Sequence, residues 1–237
     1  MEVLGVIPAR GGSKGIPRKN LAALAGRPLI AYTCDAARAS HRLTRVMIST
    51  DDEEIATAAQ ALGVGTPFLR PVLLALDETP IVDVLLDLVV TLEQREGYRP
   101  DVIVLLQPTS PFRRAEHVDA AVALLDSSRA DSVVTVIPVP HQFTPSSLMR
   151  LDGDRLLPAL DGDGPSRRQD KPRLFARNGP AVVAVRTPVL VARRTLYGPD
   201  TRGLVMSRED SLDVDDSFDL ELAELLMAAR GARQGLR

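Results

Sequence analysis

Five short aliphatic runs alternate with segments of helical periodicity, and this alternation restricts the fold more than any other feature of the chain. The runs are Val3 to Ile7, Val46 to Ser49, Val102 to Leu106, Ser132 to Pro138 and Ala181 to Val185. Strands separated by helices need crossover connections, which set neighbouring strands parallel and cover both sheet faces. The expected fold is therefore α/β, with a mainly parallel sheet and helices on both faces. At 237 residues the chain holds one such domain, 1-237, and is too short for two. Helix starts are expected at Pro28 as a first helical position, at Thr50 with Glu53 as a capping box, at Thr79-Pro80 and at Ala115, with a last amphipathic helix over Phe218 to Ala229.

The charge balance removes several functions. Asp and Glu number 31 against 29 Lys and Arg, which gives no broad field for a nucleic-acid backbone or an anionic membrane. No aliphatic run approaches the ~20 residues that span a bilayer. Glu2 to Pro8 reads as a core strand and not as a secretory leader, so a cytoplasmic home is expected. The single Cys34 falls in an apolar helical pattern and reads as a packing residue.

Residues 139-178 break the rhythm, with proline, aspartate and arginine but no apolar helix face. So long a stretch reads as an extended arm that reaches across a cleft or a partner chain, or else as a surface insertion.

In sheets of this kind ligands bind beyond the carboxyl ends of the strands, so the loops at 8-20, 107-114 and 207-216 are the candidate site. The first loop runs Pro8-Ala9-Arg10-Gly11-Gly12-Ser13-Lys14-Gly15-Ile16-Pro17-Arg18-Lys19-Asn20. Its glycines let backbone amides approach an oligophosphate and its cations neutralise the charge. It lacks the Gly-Lys-Ser/Thr ending of a Walker loop, which argues against a P-loop kinase. Two of the three lysines of this arginine-rich chain, Lys14 and Lys19, lie here, with Lys171 the third; the two cation types are not interchangeable.

Asp213 and Asp215, on either side of Val214, point the same way in extended backbone and suit a hard cation such as magnesium. Asp216 or Ser217 suits the cap of the last helix. Gln107, directly after a buried strand, can orient a substrate through hydrogen bonds; the alternative is a capped turn before Ala115.

Taken together, IPARGGSKGIPRKNL at 7-21, ISTDDEEIA at 48-56, FLRP at 68-71, LLQPTSPFR at 105-113, RRQDKP at 167-172, RNG at 177-179 and SLDVD at 211-215 resemble the acylneuraminate cytidylyltransferases, over nearly the whole chain. The resemblance implies a Rossmann-like nucleotidyltransferase with an extended dimerisation arm, a homodimer in which the arms are exchanged, and Mg2+. It implies that Ala9, Arg10, Gly11, Ser13, Lys14, Lys19, Asn20 and Arg70 bind CTP. It also implies that Gln107 and Asn178 face a small anionic acceptor, and that Arg168 of the other chain meets its acid group. Asp213 and Asp215 would hold the metal and, with Arg10 and Lys19, form the catalytic set. CMP would pass to the acceptor and pyrophosphate would leave. His41, His117 and His141 are expected to be structural or exposed.

The acceptor end departs from the sialic-acid pattern. Val182 stands where that family carries a tyrosine, Pro145 where it carries a basic residue, and the sugar-lining aromatic pair is reduced to Leu196 and Tyr197. Basic residues persist at Arg167, Arg168, Lys171, Arg173 and Arg177. The acceptor classes are thus a nonulosonic or 3-deoxy-ulosonic acid, or a small phosphonate. A glycosyltransferase and a nucleotide sensor are the rival classes.

Overall fold

In the computed structural model, residues 1–160, 167, 172–177, 179 and 181–235 are described. The chain opens with β1 (Val3–Pro8), whose first five residues are all buried. A small hairpin, β2 (Ala23–Leu24) and β3 (Arg27–Pro28), leads to α1 (Leu29–Arg38), β4 (Arg45–Ser49) and α2 (Glu53–Ala61). Then come α3 (Ile81–Glu96), β5 (Val102–Leu105), α4 (Ala115–Ser128) and β6 (Ser132–Pro138). The arm carries β7 (Met149–Asp152), β8 (Arg155–Pro158) and β9 (Phe175–Ala176). The chain returns through β10 (Val183–Arg186), α5 (Thr187–Arg193), β11 (Thr201–Val205) and α6 (Ser217–Gly235).

The main sheet has the order β11-β6-β10-β5-β1-β4, with β9 paired to the end of β6. β1 lies parallel to both neighbours, Val6 opposite Met47 on one side and Leu105 on the other. β10 alone on this path runs antiparallel to its neighbours β5 and β6. The chain leaves from the carboxyl end of β6 into the arm and re-enters the sheet at that same end, so β10 runs antiparallel to β6.

Three clusters fill the interior. One face packs Ile30, Cys34, Ile55, Ala59, Val118 and Leu125 from α1, α2 and α4; the other packs Leu85, Leu88, Leu92 and Leu190 from α3 and α5. Burial pushes the Cys34 thiol up to about 12, which leaves it an apolar filler. In the third cluster Val214 and Ala223 meet Leu24, Leu29 and Phe112. That small core seats the segment before α6 against the start of α1.

Several sequence expectations shift. Pro28 ends β3 and serves as the N-cap of α1, not as its first residue, and Pro80 stands likewise before α3. The cap of α2 is Asp52, whose carboxylate accepts from Ile55 N–H at 3.0 Å, while the Thr50 hydroxyl accepts from Asp52 N–H at 3.1 Å. A carboxylate two residues nearer the helix reaches the orphan amides that Thr50 cannot. The last strand of the expected set begins at Val183, two residues late, although Ala181 and Val182 are buried. α6 extends past Ala229, and the Asp216 carboxylate accepts from Asp219 N–H at 3.0 Å near its start.

From Val139 the arm makes two short 3-10 turns, His141–Phe143 and Pro145–Ser147. The β7–β8 hairpin pairs only with itself, and Leu151 and Leu156 are 72% and 60% exposed. Among the described residues no helix is long and apolar enough to cross a membrane.

Candidate active site

A cleft of about 340 Å3 opens at the carboxyl ends of β1 and β5, where successive connections diverge to opposite sides of the sheet. Arg10, Ser13, Lys14, Lys19 and Asn20 line it from the glycine loop, with Arg70, Gln107, Thr109 and Asp215 from other segments. The loop is fastened from below. Gly11 N–H donates to Asp51 at 3.1 Å, and the Asn20 amide donates to the Arg10 carbonyl at 3.0 Å. Ala9 is different: its side chain is in the core and its N–H goes to the Ser49 carbonyl at 2.9 Å, so both are engaged in the fold.

Arg70 lies buried at the cleft wall, donating to the Ser49 carbonyl at 2.5 Å and the Leu74 carbonyl at 3.3 Å. Among the described residues its Nε has no hydrogen-bond partner. Lys19 Nζ meets Asp215 at 3.1 Å across 196 positions of sequence. A Cβ on Gly15 would strike the Asp215 carbonyl, so the glycine loop and the SLDVD segment are in direct contact.

Val214 is the peg that sets the two aspartates. Its side chain enters the third core and its N–H donates to the Thr109 carbonyl at 2.8 Å. Asp215 stays 73% exposed at the cleft, whereas Asp213 turns to an inner position beside Gly179, where any Cβ would collide with its carboxylate. Burial pushes the Asp213 carboxyl up to about 6; Asp215 adds to the rise, while the Thr109 hydroxyl and Lys19 oppose it. Among the described residues Asp213 Oδ1 is buried without a hydrogen-bond partner. An orphaned carboxylate oxygen with a second carboxylate two residues on would suit a hard divalent cation, although among the described residues no third acidic, histidine or cysteine side chain gathers with them.

Arg113 holds this floor together. Its buried guanidinium donates to the Gln107 carbonyl at 3.0 Å, the Ala181 carbonyl at 2.8 Å and the Thr33 hydroxyl. Burial draws it down to about 9. The contact ties α1, the 107-113 loop and the entry to β10 into one unit, so Gln107 reaches the cleft from a braced backbone.

Where the sequence leads one to expect the acceptor, the Ser110 hydroxyl donates to the Gly179 carbonyl at 3.4 Å, and the Arg177 guanidinium stacks on Tyr197 at 4.2 Å. Arg168 and Asn178 lie outside the described residues. Val182 and Leu196 are buried in the cores, and Tyr197 packs on the second core. His41 and His141 are exposed, and His117 accepts from Arg114 N–H at the start of α4. Sequence reasoning missed Asp77, Thr79, Leu74 and Leu76, which line the cleft from the loop before α3. That loop has no glycine run or charge cluster to mark it.

The cytidylyltransferase family profile matches residues 4–153. The chain is 35% identical over 230 residues to the CMP-N,N'-diacetyllegionaminic acid synthase of Legionella pneumophila, covering 96% of this chain and 97% of that one. It is 32% identical over 223 residues to the N-acylneuraminate cytidylyltransferase of Escherichia coli, covering 94% of this chain but only 51% of that one. It thus spans about half the length of the latter. A solved CMP:2-keto-3-deoxy-manno-octonic acid synthetase superposes with a TM-score of 0.71 at 21% identity, covering 97% of this chain and 100% of that one, a likeness of fold. With a sheet and cleft of this form, a profile match over most of its length and relatives at this identity, the chain belongs to the cytidylyltransferase family.

Proposed function

We propose that this chain transfers CMP from CTP to a nonulosonic or 3-deoxy-ulosonic acid and releases pyrophosphate. The observation that carries the reading is the meeting of the glycine loop with the SLDVD segment, Lys19 against Asp215, at one cleft. Arg10, Ser13, Lys14, Lys19 and Asn20 hold the CTP charge there, and Arg70 completes the nucleotide side. Arg10 and Lys19 stabilise the charge that grows on the departing pyrophosphate. Gln107 aligns the acceptor oxygen behind the α-phosphorus, and its braced loop makes that alignment inexpensive in entropy. Magnesium held by Asp213 and Asp215 supplies Lewis-acid neutralisation of the phosphate oxygens when bound.

The acceptor class follows from the relatives, whose names specify legionaminic and neuraminic acid activation. Arg177, fixed on Tyr197, supports an acidic acceptor; Asn178, and Arg168 from a second copy, complete that side. A homodimer with exchanged arms is supported by the exposed leucines of the β7–β8 hairpin, since a lone two-stranded hairpin is marginal in water. A cytoplasmic home belongs to the same reading, since CTP is a nucleotide of the cell interior.

Pyrophosphate release from CTP, measured with nonulosonic acids, 3-deoxy-ulosonic acids and small phosphonates, tests the reading. Turnover with one of the sugar acids is expected. Turnover confined to a phosphonate replaces the acceptor class, and nucleoside diphosphate as the product ends the cytidylyl-transfer mechanism.

A further inference from the structure

Asp77 stands on the loop between Arg70 and α3, and its carboxylate meets Arg10 Nη1 at 2.5 Å and Lys14 Nζ at 2.7 Å. Each of its two oxygens takes one cation, the arrangement that two oxygens of a phosphate would adopt. Among the described residues no other carboxylate lies within salt-bridge distance of either cation. These same cations line the cleft, and Asp77 lines it with them. The Lys14 ammonium, and then Arg10, hold the Asp77 carboxyl below the usual carboxylate range.

The loop that carries Asp77 is tied by local bonds: Leu74 N–H donates to the Pro71 carbonyl at 2.8 Å, Ala75 N–H to the Val72 carbonyl at 3.0 Å and Thr79 N–H to the Leu76 carbonyl at 3.2 Å. The Thr79 hydroxyl donates to the Leu73 carbonyl at 3.3 Å and Arg70 donates to the Leu74 carbonyl at 3.3 Å. Val72 and Leu73 are 72% and 79% exposed, so no core packing holds that turn. A phosphate arriving at Arg10 and Lys14 meets a negative charge already seated there, and like charges at contact distance repel.

We infer that Asp77 is a built-in competitor for the polyphosphate seat, leaving Arg10 and Lys14 when a nucleoside triphosphate enters and reclaiming them as pyrophosphate departs. An anion must bring more charge than one carboxylate to win both cations, which favours a triphosphate over a monophosphate. The competition lowers affinity by the fraction of time that the seat is closed, and it lowers product affinity with it. This role rests on the CMP-transfer reading above.

Calorimetric titration of the full chain with inorganic pyrophosphate, and separately with CTP, tests it in wild type, Asp77→Asn and Asp77→Glu. Asp77→Asn is expected to bind both anions about twofold to fivefold more tightly, the scale of a partly exposed ion pair removed from competition. Asp77→Glu, which keeps the charge, stays near wild type. Unchanged or weaker binding by Asp77→Asn overturns the inference, because a carboxylate that merely held the two cations in place would lose affinity on removal. Should Asp77→Asn melt early, Asp77→Ser makes the same comparison. Wild type that binds pyrophosphate and turns over CTP, without tightening in the variants, sinks this inference alone. Wild type that does neither sinks the CMP-transfer reading and this role together.

Discussion

The cleft and the arm hold their charged and apolar groups in opposite ways. In the cleft Arg10 and Lys14 share Asp77 and Lys19 meets Asp215, while the loops beneath are fastened by Asp51, Asn20 and Arg113 to three parallel strands. In the arm, β7 and β8 form a two-stranded sheet of their own among the described residues and present leucines to solvent. The glycine loop and the SLDVD segment are therefore preorganised within one chain, and on the proposed reading little backbone entropy remains to be lost there on binding. The hairpin has no core of its own and needs a covering surface to be firm. The two halves should accordingly respond to different perturbations.

The largest expected effect lies in the cleft. Asp215→Ala removes an exposed carboxylate from the SLDVD segment and should cut CTP turnover about a thousandfold or more, the scale of losing a metal ligand or a principal charge stabiliser. Its melting curve should barely move, because Asp215 is 73% exposed and packs in no core. Pyrophosphate release measured beside thermal denaturation checks both halves of this statement; retained turnover removes the metal assignment.

A smaller effect is expected in the arm. Leu151→Asp with Leu156→Asp places charges on the hairpin's apolar surface, and sedimentation should then report monomer where the wild type gives dimer. Acceptor kcat/KM should fall about tenfold, a loss typical of disrupting an apolar anchor, while CTP affinity stays in place. If mass and kinetics both stay as in wild type, the arm is a surface insertion and the contrast between the two regions dissolves.

Legibility in the sequence follows the same division. β1 and β5 are continuous apolar runs between turn-forming residues, and such runs identify buried strands directly. β11 escaped because it is an edge strand with Gly203 inside it and mostly exposed positions, so its pattern does not alternate cleanly. Asp213 and Asp215 were legible because period two follows from extended backbone, yet their unequal burial was not. That inequality comes from Gly179 and Thr109, which are distant in sequence and unmarked by any motif. Asp77 was unreadable for a related reason: it acts through partners more than sixty positions away, and a single acid on a loop carries no periodic signal.

The inner aspartate leads to an effect read in melting temperature, and it separates stability from activity. Asp213 has an ordinary value of 3.8 that burial pushes up to about 6, so the folded chain binds its proton more tightly than the unfolded chain does. Stability from this group is therefore fully present below pH 3.8 and is lost as pH rises through about 6. Above that point the ionised carboxylate costs at most about 3 kcal/mol, by the conversion of a pKa difference into free energy. Asp213→Asn keeps the shape and lets an amide donor face the buried Thr109 oxygen, so the ligand-free variant should melt higher than wild type above pH 6 and match it near pH 4. Turnover should be lost over the whole range, since a neutral amide is a poor substitute for a carboxylate at a divalent cation. Melting temperatures of both proteins from pH 4 to 8 without nucleotide decide the point. A constant gap between the two curves would show that the buried oxygen is comfortable without a cation, and would remove the physical ground for placing one there.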